Sequence, residues 1–213
     1  MQLLTKELHF PNVSEASEDG LLAVGGDLTV ERLLLAYTSG IFPWYEAGQP
    51  ILWWSPDPRM VLFVEDFKVS KSLQKILRKQ LFTVTFNQDF KAVIHHCARV
   101  KRDGQYGTWI TQEMMAGYLQ LHKQGHAISF EVWQDQQLVG GGYGIQLPEK
   151  KVFCGESMFS LVSNASKVGF YHLVEKYKAA AYDLIDCQVY TQHLESLGAQ
   201  EIPRAKFLKH LSF

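Results

Sequence analysis

The chain has 213 residues, 46% of them hydrophobic and 20% charged, the balance of a folded globular protein of one large or two small domains rather than a disordered one. A formal net charge of -1 excludes a global affinity for polyanions, so a nucleic-acid partner must be held by a local patch. The start MQLLTKELHF has no signal-peptide pattern, no stretch approaches the roughly 20 apolar residues of a membrane span, and Cys97, Cys154 and Cys187 form no C-x-x-C pair, so a reducing cytoplasm without zinc site or disulfide is expected.

Residues 1–60 are rich in Gly, Pro and Trp, and one helix is predicted there, over 30–39. Thr29 caps it, Leu33, Leu34, Ala36 and Tyr37 give its apolar face, and Gly40 stops it. The PDPR turn leads into a strand, MVLFV, and a domain boundary is placed near residue 60. Residues 68–80 read as a helix, FTVTF as a strand, and 89–99 and 112–124 as helices, the second capped by Thr111 and ended by Gly125. AISFEVWQ, QLVGGGYGI and VFCGE are joined by short turns and read as an antiparallel meander. A helix over 165–181, a strand LIDCQV, and short helices over 191–197 and 204–211 complete an α+β layer, helices over a mixed sheet.

The strand LIDCQV carries an acid, a thiol and an amide in succession. Strand alternation puts Asp186 and Gln188 on one face and Ile185, Cys187 and Val189 on the other. That pairs a carboxylate with an amide over a cleft or over solvent and makes Cys187 a core residue. Glu156, among the apolar residues of FCGESMFS, needs a partner, because burying it unpaired costs several kcal/mol. A cationic substrate or an internal cation would serve. Lys68, Lys71, Lys75, Arg78 and Lys79 fall on one side of the 68–80 helix with no acid among them, either a solvated face or a site for a phosphate backbone. Trp44, Trp53, Trp54 and Trp109 lie near predicted loops and offer flat surfaces on which a base can stack. The histidines lack metal-ligand spacing.

Taken together and in order, GLLAVGGDLTVERLLLAYTSGIFPWY, ILWWSPDPRMVL, GTWIT, LVGG, FCGESMFS, NASK, LIDCQ, HLESLGA and EIPR resemble the leucyl/phenylalanyl-tRNA–protein transferase family from about residue 9 onward. The resemblance implies a small N-terminal domain, 1–60, on an acetyltransferase-like (GNAT-like) domain, 61–213. It implies transfer of Leu, Phe or Met from aminoacyl-tRNA to proteins with N-terminal Arg or Lys, in a bacterial N-degron pathway, without a metal or small cofactor. It also implies catalytic roles for Asp186 and Gln188, an acceptor contact at Glu156, and Trp44 and Trp109 beside the tRNA 3′ end. The pocket for the transferred side chain would be lined by Phe153, Met158, Phe170, Leu173, Tyr177 and Ile185, with the basic side chains from Lys68 to Lys79 as candidate tRNA phosphate contacts.

Ile185 is awkward in that pocket, because alternation places it opposite Asp186. The sequence also departs from the family's pattern. Gly142 stands where Leu or Met is usual, which is expected to leave room for bulkier side chains, and Ile128 stands at a histidine position. The competing readings are an acyl-coenzyme A N-acetyltransferase, which would want a glycine-rich loop ahead of the 165–181 helix, and a non-enzymatic binder of basic N-termini.

Overall fold

The computed structural model describes residues 2–100 and 109–212. The N-terminal stretch holds β1 (Gln2–Leu4), β2 (Leu21–Gly25), α1 (Val30–Thr38), β3 (Phe42–Pro43) and β4 (Leu52–Trp54). Among the described residues these strands form a four-stranded sheet in the order β1-β2-β4-β3. Only α1 is visible from sequence. The strands here have two to five residues each, too few for an alternation to register. Thr29 caps α1 by accepting the Arg32 N–H, and Gly40, at φ 75°, turns the chain out of it.

The remaining strands are β5 (Arg59–Phe63), β6 (Thr83–Phe86), β7 (Ala127–Gln134), β8 (Gln137–Leu147), β9 (Val152–Ser160), β10 (Leu184–Gln188) and β11 (Gln200–Ile202). They form a seven-stranded sheet in the order β11-β5-β10-β9-β8-β7-β6. β7, β8 and β9 are the predicted antiparallel meander. β10 lies parallel to β9 and antiparallel to β5, so the sheet is mixed. The helices are α2 (Lys71–Lys79), α3 (Phe90–Arg99), α4 (Gln112–Lys123), α5 (Ala165–Ala179), α6 (Gln192–Ser196) and α7 (Arg204–Leu211). This is the α+β class read from the sequence.

α2 begins later than its charge pattern suggests. The Ser70 hydroxyl accepts the Leu73 N–H and caps it, so Lys68 lies outside the helix, where its N–H donates to the Leu197 carbonyl. Lys71, Lys75, Arg78 and Lys79 stay on the helix and are exposed, with Leu73 buried beneath.

Two apolar cores lie on the two faces of the large sheet. One joins Leu184, Val61, Cys154 and Ile145 to residues of α1, α3, α4 and α7 and to Trp53 of the small sheet. The other joins Ile185, Met60, Phe153 and Phe130 to Phe170, Leu173 and Val174 of α5. Ile128 is buried in this second core. β10 therefore divides the molecule, and its alternate residues report on different sides of it.

Candidate active site

Along β10, Ile185 faces Leu62 of β5, Asp186 faces Val61 and Gln188 faces Met60. Residues directly opposed on antiparallel strands share a face. Val61 and Met60 are neighbours and point to opposite cores. The register slips at Cys187, a β-bulge, and Gln188 takes a left-handed φ of 66°. Asp186 and Gln188 thus lie on opposite faces, which overturns the single face expected from alternation. The same slip removes the difficulty over Ile185: it shares the side of Gln188, with Asp186 behind the sheet.

Asp186 is fully buried. Its Oδ1 accepts Arg59 Nε–H at 2.8 Å and its Oδ2 accepts Arg59 Nη2–H at 2.7 Å, a bidentate pair. Arg59 Nη1 donates to the Gly40 carbonyl, and its guanidinium sits 4.8 Å from the Phe42 ring and 4.7 Å from the Phe207 ring. Asp186 Oδ1 also accepts the backbone N–H of Gln188 at 3.0 Å. One carboxylate thereby fastens β5 to β10 and stabilises the bulge that turns Gln188 over.

Glu156 sits at a second bulge. β9 slips against β8 so that Tyr143 faces Ser157 and Gly144 faces Gly155, with Glu156 the extra residue between them. Glu156 Oε1 accepts Gln188 Nε2–H at 2.8 Å, and Oε2 accepts the Tyr118 hydroxyl at 2.8 Å. The Tyr118 and Tyr37 oxygens are 2.6 Å apart. Since Tyr118 gives its one proton to Glu156, Tyr37 donates to Tyr118. Burial pushes the Glu156 carboxyl up to about 7, against the opposing pull of the Tyr118, Tyr37 and Gln188 donors. Burial also holds both tyrosine hydroxyls well above their ordinary range, so they stay protonated donors. With its nitrogen committed to Glu156, Gln188 has its carbonyl oxygen left to accept a hydrogen bond.

Glu156 forms the polar wall of a small cavity of about 100 Å³. Phe153, Met158, Phe170, Leu173 and Ile185 line it, together with Phe130, Cys187 and Leu194, which sequence reading missed. Two expected members lie elsewhere. Tyr177 stacks behind Phe153, ring centroids 4.7 Å apart, and does not reach the cavity. Gly142 leaves no room in it either. A Cβ there would lie 2.7 Å from the Phe130 ring and from Met158 Cγ, so those side chains already occupy the space. Cys187 is half-buried at the cavity, and burial pushes its thiol up, away from nucleophilic use at neutral pH.

A second, open concavity of about 350 Å³ is lined by Trp44, Trp54, Trp109, Tyr45, Glu46 and Gln49, among others. It brings Trp44 and Trp109 together and adds Trp54, whose Nε1–H donates to the Trp44 carbonyl at 2.7 Å. Trp53, next to Trp54 on β4, is instead fully buried in the core. Trp109 precedes the cap of α4, Thr111, which bonds Tyr45, and Tyr118 lies two turns along the same helix. One helix thus connects the tryptophan surface to Glu156. Lys71, Lys75, Arg78 and Lys79 line neither concavity. Among the described residues no three His, Cys, Asp or Glu side chains cluster as metal ligands, and no helix is long and apolar enough to cross a membrane. Tyr37, Arg59 and Tyr118 carried no sequence signal beyond Arg59 opening an apolar strand.

A family model described as leucyl/phenylalanyl-tRNA protein transferase matches residues 61–212, and one described as the N-terminal domain of that protein matches 26–57. The chain is 60% identical over 211 residues to a protein named leucyl/phenylalanyl-tRNA–protein transferase from Flavobacterium johnsoniae, across 99% of each chain. It is 56% identical to one of the same name from Azotobacter vinelandii, across 98% of this chain and 88% of the relative. Among solved structures it is similar to a GCN5-related N-acetyltransferase from Kribbella flavida, with a TM-score of 0.41 and 9% identity, across 84% of this chain and 63% of that one.

Proposed function

We propose a function from one premise: the chain belongs to the leucyl/phenylalanyl-tRNA–protein transferase family. It is an aminoacyltransferase that moves an amino acid from tRNA to protein. In the finer reading, the donor is Leu, Phe or Met on tRNA and the acceptor is a protein with N-terminal Arg or Lys, which the new residue marks for an N-degron pathway. The observation that carries this reading is the small apolar cavity with a single carboxylate, Glu156, in its wall, held by neutral donors alone. An apolar aminoacyl side chain fits the cavity, and the carboxylate stands ready for a positive charge or a proton.

The reaction is aminolysis of an activated ester. The acceptor's α-amine attacks the ester carbonyl carbon, a C–N bond forms, the bond to the ribose oxygen breaks, and that oxygen gains a proton as the amine loses one. The unperturbed amine has a pKa of about 7.7–8.0, so the site's main contribution is alignment, which can supply roughly 7–11 kcal/mol. In our proposal the Gln188 carbonyl oxygen orients the amine. Glu156, with its carboxyl raised to about 7, attracts the acceptor's charge and receives the proton. Asp186 does not line the cavity; it acts as a positioning residue, holding through Arg59 and the Gln188 N–H the bulge that aims Gln188. The ester end of the donor would lie by Glu156 and its terminal base against Trp44, Trp54 and Trp109. Lys71, Lys75, Arg78 and Lys79 are left as candidate contacts to tRNA phosphates away from both concavities.

The test is incubation of labelled Leu-tRNA or Phe-tRNA with an Arg-initiated peptide and, separately, with the same peptide initiated by Ala. Label is expected on the Arg peptide alone. No label on either overturns the activity, and equal labelling overturns the acceptor assignment.

A further inference from the structure

The cavity's far wall is built in an unusual way. Phe130 on β7 directly faces Gly142 on β8, and its ring is fully enclosed. A Cβ on Gly142 would lie 2.7 Å from Cε1 and Cζ of that ring. A Cβ on Gly169 of α5 would lie 2.4 Å from Cε2 and 2.6 Å from Cδ2. All of these distances are well inside van der Waals contact. Two glycines, one on a strand and one on a helix, thus form a socket that grips opposite edges of one ring. Met158 leans into the same gap, its Cγ 2.7 Å from the Gly142 position. Neither glycine has a positive φ, so backbone conformation does not account for them; the space does.

The ring so held faces the cavity, beside Met158 and Phe170. We propose that Phe130, seated between Gly142 and Gly169, is a specificity-determining residue that sets the depth of the side-chain cavity and so which amino acids the chain transfers. This rests on the aminoacyl-transfer reading above. Position 142 does not widen the cavity; it admits the ring that closes it. Trimming the ring deepens the cavity and favours larger side chains. Filling position 142 drives the ring and Met158 inward and favours smaller ones.

The experiment charges one tRNA body in turn with Leu, Phe and Trp, and measures transfer to an Arg-initiated peptide by the unmodified chain, Phe130→Val, Gly142→Met and the double variant. Ratios within one variant do not depend on how much of it is folded. Phe130→Val is expected to raise the Trp:Leu ratio about tenfold, the discrimination of an apolar pocket for a small change in size. Gly142→Met is expected to lower the Phe:Leu ratio. The double variant, in which the introduced methionine fills the space the ring vacates, is expected to return both ratios toward the starting values. Phe130→Leu, a milder trim, carries the same ratio test should Phe130→Val not fold. A Trp:Leu ratio unmoved by trimming Phe130, in a preparation whose unmodified chain transfers Leu or Phe, overturns the inference. No transfer by the unmodified chain overturns the reading beneath it.

Discussion

Two acids stand on adjacent strands, Glu156 on β9 and Asp186 on β10, and they are treated in opposite ways. Asp186 is fully buried and meets a guanidinium through both oxygens. Glu156 meets two tyrosine hydroxyls in series and one amide, all neutral, at the wall of a cavity. A carboxylate with a cation locked to it has its charge neutralised and its lone pairs used, which suits an anchor. A carboxylate desolvated beside neutral donors keeps its affinity for a proton or a cation, which suits a site. The difference teaches that an acid's role follows from what faces it; in the proposed reaction the chemistry falls to Glu156 and the geometry to Asp186.

The strongest way to break this comparison is Asp186→Ala. It strands Arg59 as a buried, unpaired charge, and loss of about 3–5 kcal/mol of stability is expected, read from the midpoint of urea unfolding. An unshifted midpoint would remove Asp186 as an anchor. Glu156→Gln keeps the shape and removes the charge. Transfer is expected to fall about 100-fold or more with the unfolding midpoint no lower than before; wild-type rates in that variant would strip Glu156 of its role.

Two pH measurements sharpen the comparison further. If ionised Glu156 receives the proton, transfer rises with pH through about 7, the value to which burial pushes that carboxyl. Tyr118→Phe removes a donor to the ionised form, which raises the carboxyl further and moves the acid limb up by about 1 pH unit. A limb that stays in place would show that another group titrates. The second pH measurement is of stability. Glu156 ordinarily titrates near 4.5 and titrates near 7 when folded, so between those values the folded chain holds a proton that the unfolded chain has released. Its contribution to stability is present below the lower value and is lost as pH rises through the upper one. Thermal melts of the wild type and of Glu156→Gln across pH 4 to 8 should differ by that slope.

Several sequence readings survive contact with the fold because their signals are local. α1 and α4 follow from their threonine caps and the glycines that stop them, and the β7-β8-β9 meander from short turns between strand-like runs. Lys68 was misplaced because a charge pattern does not show where a helix starts, whereas the Ser70 cap does. The small sheet was missed because its strands are too short to show a period. Tyr177 and Gly142 were drawn into the cavity because a list of apolar residues carries no depth. Tyr177 stacks one layer back, behind Phe153, and the space at Gly142 is already filled by Phe130.

By itself the sequence determined which segments are helix and meander, the α+β class and, through the ordered motifs, the family, and it singled out Glu156, Asp186 and Gln188 as candidates. Only the tertiary structure decided where those residues point. A β-bulge reflects how a strand registers against both its neighbours, and neighbours such as β5 and β10 are far apart in the chain. The Arg59–Asp186 pair spans 127 positions and the Tyr37–Tyr118 pair spans 81. Strand alternation is a rule about consecutive residues, and one extra residue at Cys187 reverses it, placing Asp186 behind the sheet and Gln188 beside Glu156.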